Sequence, residues 1–188
     1  MTTTQNNYKN QFLVAMPQMV DNLFTHSLIY ICEHSDEGSM GLIINMSTDY
    51  LMDDIFNQMN IECECSKIKN SAILMGGPVQ VERGFILHAD NSEWETTRRI
   101  NQHFSITTSR DILEATANGE GPKESLTILG YCAWASGQLD QEVSRNDWLL
   151  TPADTDIIFR TPLNQQRFKA AESIGVDLNL FNLPAGHA

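Results

Sequence analysis

Cys32-Glu33-His34 places a thiol, a carboxylate and an imidazole within three residues. On an extended strand, side chains two apart share a face, so Cys32 and His34 point the same way. An imidazolium beside a thiol lowers the thiol pKa and yields a nucleophilic thiolate. A plainer reading competes, in which Cys32 is a small core residue ending a strand and His34 opens a loop, and the local pattern favours it. His88-x-Asp90 is a second candidate, a carboxylate set to orient an imidazole for proton transfer. Two such residues on a strand more often just cover a surface, and that reading is favoured here. Cys63-x-Cys65 raises zinc, but a structural zinc site takes four ligands, usually in pairs two to four residues apart. This pair is one residue apart and has no second pair, so the segment reads as polar surface. Ser109 and Ser136 stand outside any Gly-x-Ser-x-Gly elbow, and helix capping accounts for both. No Walker or dinucleotide loop is present. These residues assemble no catalytic set, no metal site and no cofactor site.

Binding chemistry is better represented. Met75-Gly76-Gly77-Pro78-Val79-Gln80 joins the apolar run from Ala72 to Met75 to a second one, Arg83-Gly84-Phe85-Ile86-Leu87-His88. Two glycines permit backbone angles closed to other residues, and proline fixes the exit. Bare backbone there admits a close approach by another strand or a ligand, and its N–H groups suit an anion. Tyr131, Trp134 and Trp148 are aromatic candidates for lining a cleft, although most such residues are core.

The elements that would position these groups follow from the chain in order. Residues 1–9 are polar and expected to be flexible. Phe12 to Met16 is an apolar run stopped by Pro17, and residues 18–26, with Asp21-Asn22, read as a loop. Ser27 to Cys32 lacks alternation and reads as a strand buried on both faces. With Gly41 to Asn45 it predicts a β-hairpin with a longer loop. Thr48-Asp49 predicts the cap of a helix whose apolar face is Leu51, Met52, Ile55, Phe56 and Met59. The segment 72–88 predicts a hairpin at the Gly-Gly-Pro corner, and 104–107 a half-buried strand. Thr108 and Asp111 stand at capping-box spacing before a helix with Ile112, Leu113, Thr116 and Ala117 inside, closed by Gly119. Leu126 to Tyr131 predicts a strand, 137–144 a short helix, and 148–150 a brief strand. Thr151-Pro152 and Thr161-Pro162 predict two helix starts, the second burying Leu163, Ala170, Ala171 and Ile174. Leu178, Leu180, Phe181 and Leu183 are enough to dock the tail. Strands in adjacent pairs with helices between them favour α+β with a largely antiparallel sheet.

Composition bounds the class. A chain of 188 residues is expected to fold as one domain, and it buries roughly 70% of its unfolded surface without staples. Hydrophobic residues at 41% and charged residues at 19% are globular values. The net charge of -12, from 24 acidic and 12 basic residues, repels phosphate backbones and disfavours direct nucleic-acid binding. The polar opening of the chain and the lack of a long apolar run predict a cytoplasmic protein with reduced thiols and no membrane span.

The motifs together resemble the YqgE/AlgH family of bacterial proteins, nearly end to end. The resemblance rests on Phe12 to Pro17 with Asp21, Ser27 to His34, Gly38 to Asn45, Gly76 to Val79, and Arg83 to His88. It continues through Thr108 to Leu113, then Gly130-Tyr131, Trp134, Gly137-Gln138-Leu139 and Glu142, to Gly186-His187-Ala188. Departures are Met46-Ser47 after Asn45, Ala133 and Ala135 where relatives usually carry glycine, and Cys132 where a small residue is usual. The resemblance implies a compact single-domain α+β protein with a curved mixed sheet flanked by short helices, here residues 10–188. It also carries a label of transcriptional regulator, with no established catalytic residue or cofactor.

From these readings the expected protein is a non-enzymatic cytosolic one that binds a small molecule or a protein partner, with an indirect regulatory role. Its expected binding residues are Gly76, Gly77, Pro78, His88, Trp134 and Gln138. Two rivals are a hydrolytic or thiol-based enzyme using Cys32, His34 and His88, and a direct DNA-binding regulator, disfavoured by charge.

Overall fold

The computed structural model describes residues 7–19, 23–90 and 92–182. The expected flexibility of residues 1–6, the Asp21-Asn22 loop, Leu183 and the Gly186-His187-Ala188 ending lie outside the described residues. Among the described residues ten strands occur in chain order: β1 (Gln11–Ala15), β2 (Leu28–Ser35), β3 (Gly38–Ile43), β4 (Ser47–Leu51), β5 (Ala72–Met75), β6 (Val79–His88), β7 (Arg98–Arg99), β8 (Ser105–Thr107), β9 (Ser125–Ala135) and β10 (Trp148–Pro152). The α-helices are α1 (Met52–Gln58), α2 (Ser66–Lys69), α3 (Arg110–Ala117), α4 (Gln138–Ser144), α5 (Thr155–Phe159) and α6 (Leu163–Glu172). A 3-10 turn, Leu178–Asn182, follows them. The class is α+β, as the alternation of strand pairs and helices predicts. The chain forms two compact units, residues 1–45 with 133–188, and residues 46–132.

In the first unit the strand order is β10-β1-β2-β3, every pair antiparallel. Phe12 to Ala15 and Leu28 to Ile31 are fully buried, so both faces of these strands are covered. Each such aliphatic side chain contributes roughly 1.5–3 kcal/mol on leaving water. The β2–β3 connection is tighter than expected: only Asp36 and Glu37 separate the strands, because Gly38 takes φ +139° at once after them. A bulge between Ile31 and Glu33 makes Cys32 the extra residue of β2.

Two helix starts differ from expectation. Thr151-Pro152 ends β10, where Gln11 pairs with Pro152, and a proline at the last ladder position leaves no central donor missing. Helix α5 begins after Asp154 instead, whose carboxylate accepts from the Ile157 N–H at 3.1 Å. Pro162 is the N-cap of α6. That helix buries Ala170 and Ala171 as expected, but Leu163 is only half-buried and Ile174 is exposed. Gln166 and Arg167 fill the inner face in their place. The Arg167 guanidinium donates to the Ala15 carbonyl through Nε (3.0 Å) and Nη2 (2.6 Å), which ties α6 to the end of β1. Desolvation pulls the Arg167 pKa down, as expected for a cation taken out of water.

In the second unit the order is β4-β5-β9-β6-β8-β7. The 72–88 segment is not a hairpin. β9 lies between β5 and β6, parallel to β5 and antiparallel to β6, so the Gly-Gly-Pro connection crosses the strand in the middle. This parallel pair makes the sheet mixed, while β4–β5, β9–β6, β6–β8 and β8–β7 are antiparallel. Residues 47–51 form β4 rather than a cap: the Thr48 hydroxyl donates to the Ile73 carbonyl at 2.9 Å, and Asp54 reaches back to the Leu51 N–H at 2.8 Å to start α1. Met52 and Phe56 are buried, with Ile55 and Met59 packed against them. Ser109, not Thr108, is the N-cap of α3, and β8 is fully rather than half buried. Strand β9 runs on to Ala135, so Trp134 lies within it.

Candidate functional site

The Gly-Gly-Pro corner is built by a close backbone approach. A Cβ at Gly76 would lie 2.3 Å from the Gly130 carbonyl oxygen, and one at Gly77 2.3 Å from the Tyr131 carbonyl. Gly77 (φ +152°) and Gly130 (φ +72°) both need angles that glycine adopts freely. Gly76 and Gly77 are buried and Pro78 is exposed. The strand that the bare backbone admits is therefore β9. Cys132 closes the contact, its Sγ donating to the Gly76 carbonyl at 3.3 Å. Burial pushes the Cys132 thiol up to about 12, so it stays protonated at neutral pH.

His88 sits at the other end of β6 and is fully buried. Its Nδ1 meets Asp90 Oδ1 at 2.7 Å and its Nε2 meets Thr107 Oγ1 at 3.0 Å, which bonds in turn to Thr97 Oγ1 at 2.9 Å. The expected His88–Asp90 pair thus exists, extended by two hydroxyls that the sequence did not point to. Partial burial works against the Asp90 carboxylate, but hydrogen bonds from Ser92 and the contact with His88 outweigh it and hold its pKa below the usual range. A carboxylate whose folded pKa is depressed adds stability above its unfolded value near 4, and that stability is lost as pH falls through the folded value. Asp90→Asn is accordingly expected to lower Tm at pH 7 and to flatten the acid limb of the Tm–pH curve. Parallel curves for the two proteins between pH 3 and 7 would refute the assignment.

In the other unit, Trp134 and Gln138 are brought together by Glu142. Glu142 Oε2 accepts from the indole N–H of both Trp134 and Trp148, each at 2.8 Å, and Oε1 accepts from Gln138 Nε2 at 2.9 Å. Gln138 Oε1 accepts from the Ala135 N–H at 3.0 Å, and the two indoles pack edge to face, 6.4 Å between centroids. Helix geometry explains the arrangement: Gln138 and Glu142 are four apart on α4 and share a face, next to the strand end that carries Trp134. Glu142 stands in the late motif of the family resemblance, but its spacing from Gln138 reads only as an ordinary exposed i,i+4 contact and gives no sign of the two indoles.

His34 Nδ1 lies 2.7 Å from Ser39 Oγ across the β2–β3 hairpin, and its Nε2 faces Asp140 Oδ1 of α4 at 4.0 Å. That Nε2 is buried without a hydrogen bond. Cys32 is buried beside it in sequence, and none of the four cysteines forms a disulfide. Cys63 and Cys65 lie nearer the surface, and no group of three or more metal-ligating side chains occurs among the described residues.

Comparison with known proteins places this architecture. The AlgH-like family model (DUF179) matches residues 12–179, across both units. The chain belongs to the AlgH-like family. A UPF0301 protein of Thioalkalivibrio sulfidiphilus is 47% identical over 99% of this chain and 100% of its own. One from Alcanivorax borkumensis is 48% identical over 95% of each. The solution structure of AlgH from Pseudomonas aeruginosa superposes with a TM-score of 0.81 at 37% identity, covering all of both chains. A crystal structure from Corynebacterium diphtheriae, at 21% identity and TM-score 0.72, shares the fold. Among the AlgH-like motifs, Gly76-Gly77 with Gly130-Tyr131 is a strand crossing, and Trp134, Gln138 and Glu142 form one hydrogen-bonded cluster. Ala133 and Ala135, the departures from glycine, are exposed on β9, and neither takes a positive φ.

Proposed function

We propose that this AlgH-like chain acts by binding a protein partner and that any regulatory effect is indirect. The observation that supports the reading is apolar surface at the end of the first unit. Ile174 is 41% exposed, Leu180 63% and Phe181 52%, within eight residues, while Leu178 anchors the turn at 1%. The sequence predicts docking of the tail through Leu178, Leu180, Phe181 and Leu183; among the described three, Leu178 is buried and Leu180 and Phe181 are exposed. Large apolar side chains left in water close together along the chain offer a partner hydrophobic footing. The net charge of -12 favours a partner other than nucleic acid. Expected small-molecule residues keep a place in this reading through Pro78 and Gln138, which are exposed, whereas Gly76, Gly77, His88 and Trp134 are buried. A cytoplasmic setting fits, and no helix among the described residues is long and apolar enough to cross a membrane.

The test is the double variant Leu180→Ser/Phe181→Ser. Surface changes of this kind alter stability by about 0.5 kcal/mol or less each, so the fold should stay intact. Partners identified by cross-linking to the wild type, then purified, should bind the variant at least about tenfold more weakly, the loss of one anchor of roughly 1.4 kcal/mol. Equal binding by the two proteins overturns the assignment of this surface. A hydrolytic reading has one observation in its favour, the Ser39–His34–Asp140 alignment. It predicts covalent labelling of Ser39 by a fluorophosphonate; an unlabelled Ser39 in native protein removes it, and burial of Ser39 in β3 favours that outcome.

A further inference from the structure

The fold divides the four cysteines in two. Cys32 and Cys132 are buried, while Cys65 is exposed and Cys63 partly so. Cys63 packs against the cluster around Met52 and Phe56, and its Sγ lies 3.9 Å from the Cys65 carbonyl oxygen, so the inner sulfur points at the backbone of the outer cysteine. Residues two apart are at most about 7 Å between Cα atoms, against roughly 4.4–6.8 Å for a disulfide. Residues 61–65 belong to no helix or strand, so no ladder or helical turn holds Cys63 and Cys65 apart. From this placement we infer that Cys63 and Cys65 form a reversible thiol–disulfide pair, oxidised by small disulfides of the glutathione type.

The exchange runs in two steps. The exposed Cys65 thiolate attacks one sulfur of oxidised glutathione; a Cys65–glutathione bond forms, the original S–S bond breaks, and one glutathione thiolate leaves. The Cys63 thiolate then attacks Cys65 Sγ and expels the second glutathione thiolate, leaving the Cys63–Cys65 disulfide. Two protein thiols lose two electrons and two protons, and oxidised glutathione takes up both to become two thiols. Exposed or strained disulfides have the more oxidising potentials and reopen readily, which fits a switch better than a staple.

A structural consequence follows from the position of Cys65. Its carbonyl accepts from the N–H groups of Ile68 and Lys69, both at 3.0 Å, and so holds the first turn of α2. Closing the ring takes Cys63 Sγ off that carbonyl and turns the backbone just before the first turn of α2, which packs on α1 and α3.

The experiment exposes the native full-length chain to oxidised glutathione, then maps each cysteine by differential alkylation and mass spectrometry. Wild type should lose Cys63 and Cys65 alkylation together, retain little bound glutathione, and recover both with dithiothreitol, while Cys32 and Cys132 stay protected throughout. Cys63→Ser should instead trap glutathione on Cys65, at least about tenfold above wild type, because the resolving thiol is gone. Cys63→Ala gives the same reading if serine disturbs the cluster beneath. The Ile68 and Lys69 amide resonances should shift on oxidation of wild type and not of Cys65→Ser. Equal trapping in wild type and both Cys63 variants, or disulfides only between molecules, overturns the inference.

Discussion

Gly77→Ala is expected to lose at least about 3 kcal/mol, the scale of a core clash that backbone cannot relieve. The added methyl would stand 2.3 Å from both the carbonyl carbon and oxygen of Tyr131 and 2.6 Å from the Cys132 nitrogen. All three are main-chain atoms of β9, the strand that pairs with both β5 and β6. Relief would therefore mean moving a strand held on both edges. Two other glycines separate this clash from the intrinsic cost of the angle. Gly119 has φ +77° with nothing within 4 Å of its Cβ position, so alanine there costs only the left-handed penalty of roughly 1–2 kcal/mol. At Gly84 a Cβ meets only Leu129 at 4.0 Å and φ is ordinary, so the change is near neutral. Urea unfolding of the three variants should rank them Gly77, Gly119, Gly84 in decreasing loss. A Gly77 variant no worse than the Gly119 one would show that β9 does not bear on the corner.

The same corner marks how far the sequence could be read. Two glycines and a proline between apolar runs identify a backbone constraint, and the constraint is real. Which strand imposes it is a nonlocal matter: β9 begins some fifty residues later, and no local pattern says that it enters between β5 and β6. Local signals did well where burial was continuous, as in β1 and β2, whose unbroken apolar runs need cover on both faces. They failed where a polar group did an apolar group's work. Arg167 and Gln166 are buried on α6 because the Ala15 and Ile158 carbonyls accept their hydrogen bonds, and periodicity put Ile174 inside instead. Thr151-Pro152 carries the grammar of a helix start, yet its apolar neighbours Trp148, Leu149 and Leu150 keep it in β10. Among the candidate site residues, His88 with Asp90 was legible from spacing. Thr107 and Glu142 were not, because each acts across elements whose approach only the fold supplies.

Glu142→Ala should cost about 2–4 kcal/mol, from two buried indole N–H groups losing a charged acceptor at roughly 1–3 kcal/mol for each unsatisfied group, less what entering water restores. One carboxylate oxygen serves both indoles, and the other fixes Gln138, whose own oxygen caps the Ala135 N–H. Helix α4 is thus fastened to the ends of β9 and β10 through a single side chain. Glu142→Gln tests the charge separately. It keeps the size and one acceptor, but its NH2 confronts the donating NH2 of Gln138, so part of the loss should remain. The chain's three tryptophans supply a site-specific readout. In the alanine variant the Trp134 and Trp148 indole proton resonances should move upfield together. Trp94, whose indole donates to Ser92 Oγ at 3.0 Å in the other unit, should stay in place. Pairing Glu142→Ala with Trp148→Phe should leave a coupling energy on the order of 1 kcal/mol, since the second change removes a donor already orphaned by the first. Indole resonances unmoved by Glu142→Ala, with additive stability losses, would mean that the two rings are held by packing alone. The Trp134–Gln138–Glu142 motif would then need another explanation, and exposed Gln138 would become the first place to look for contact with a partner.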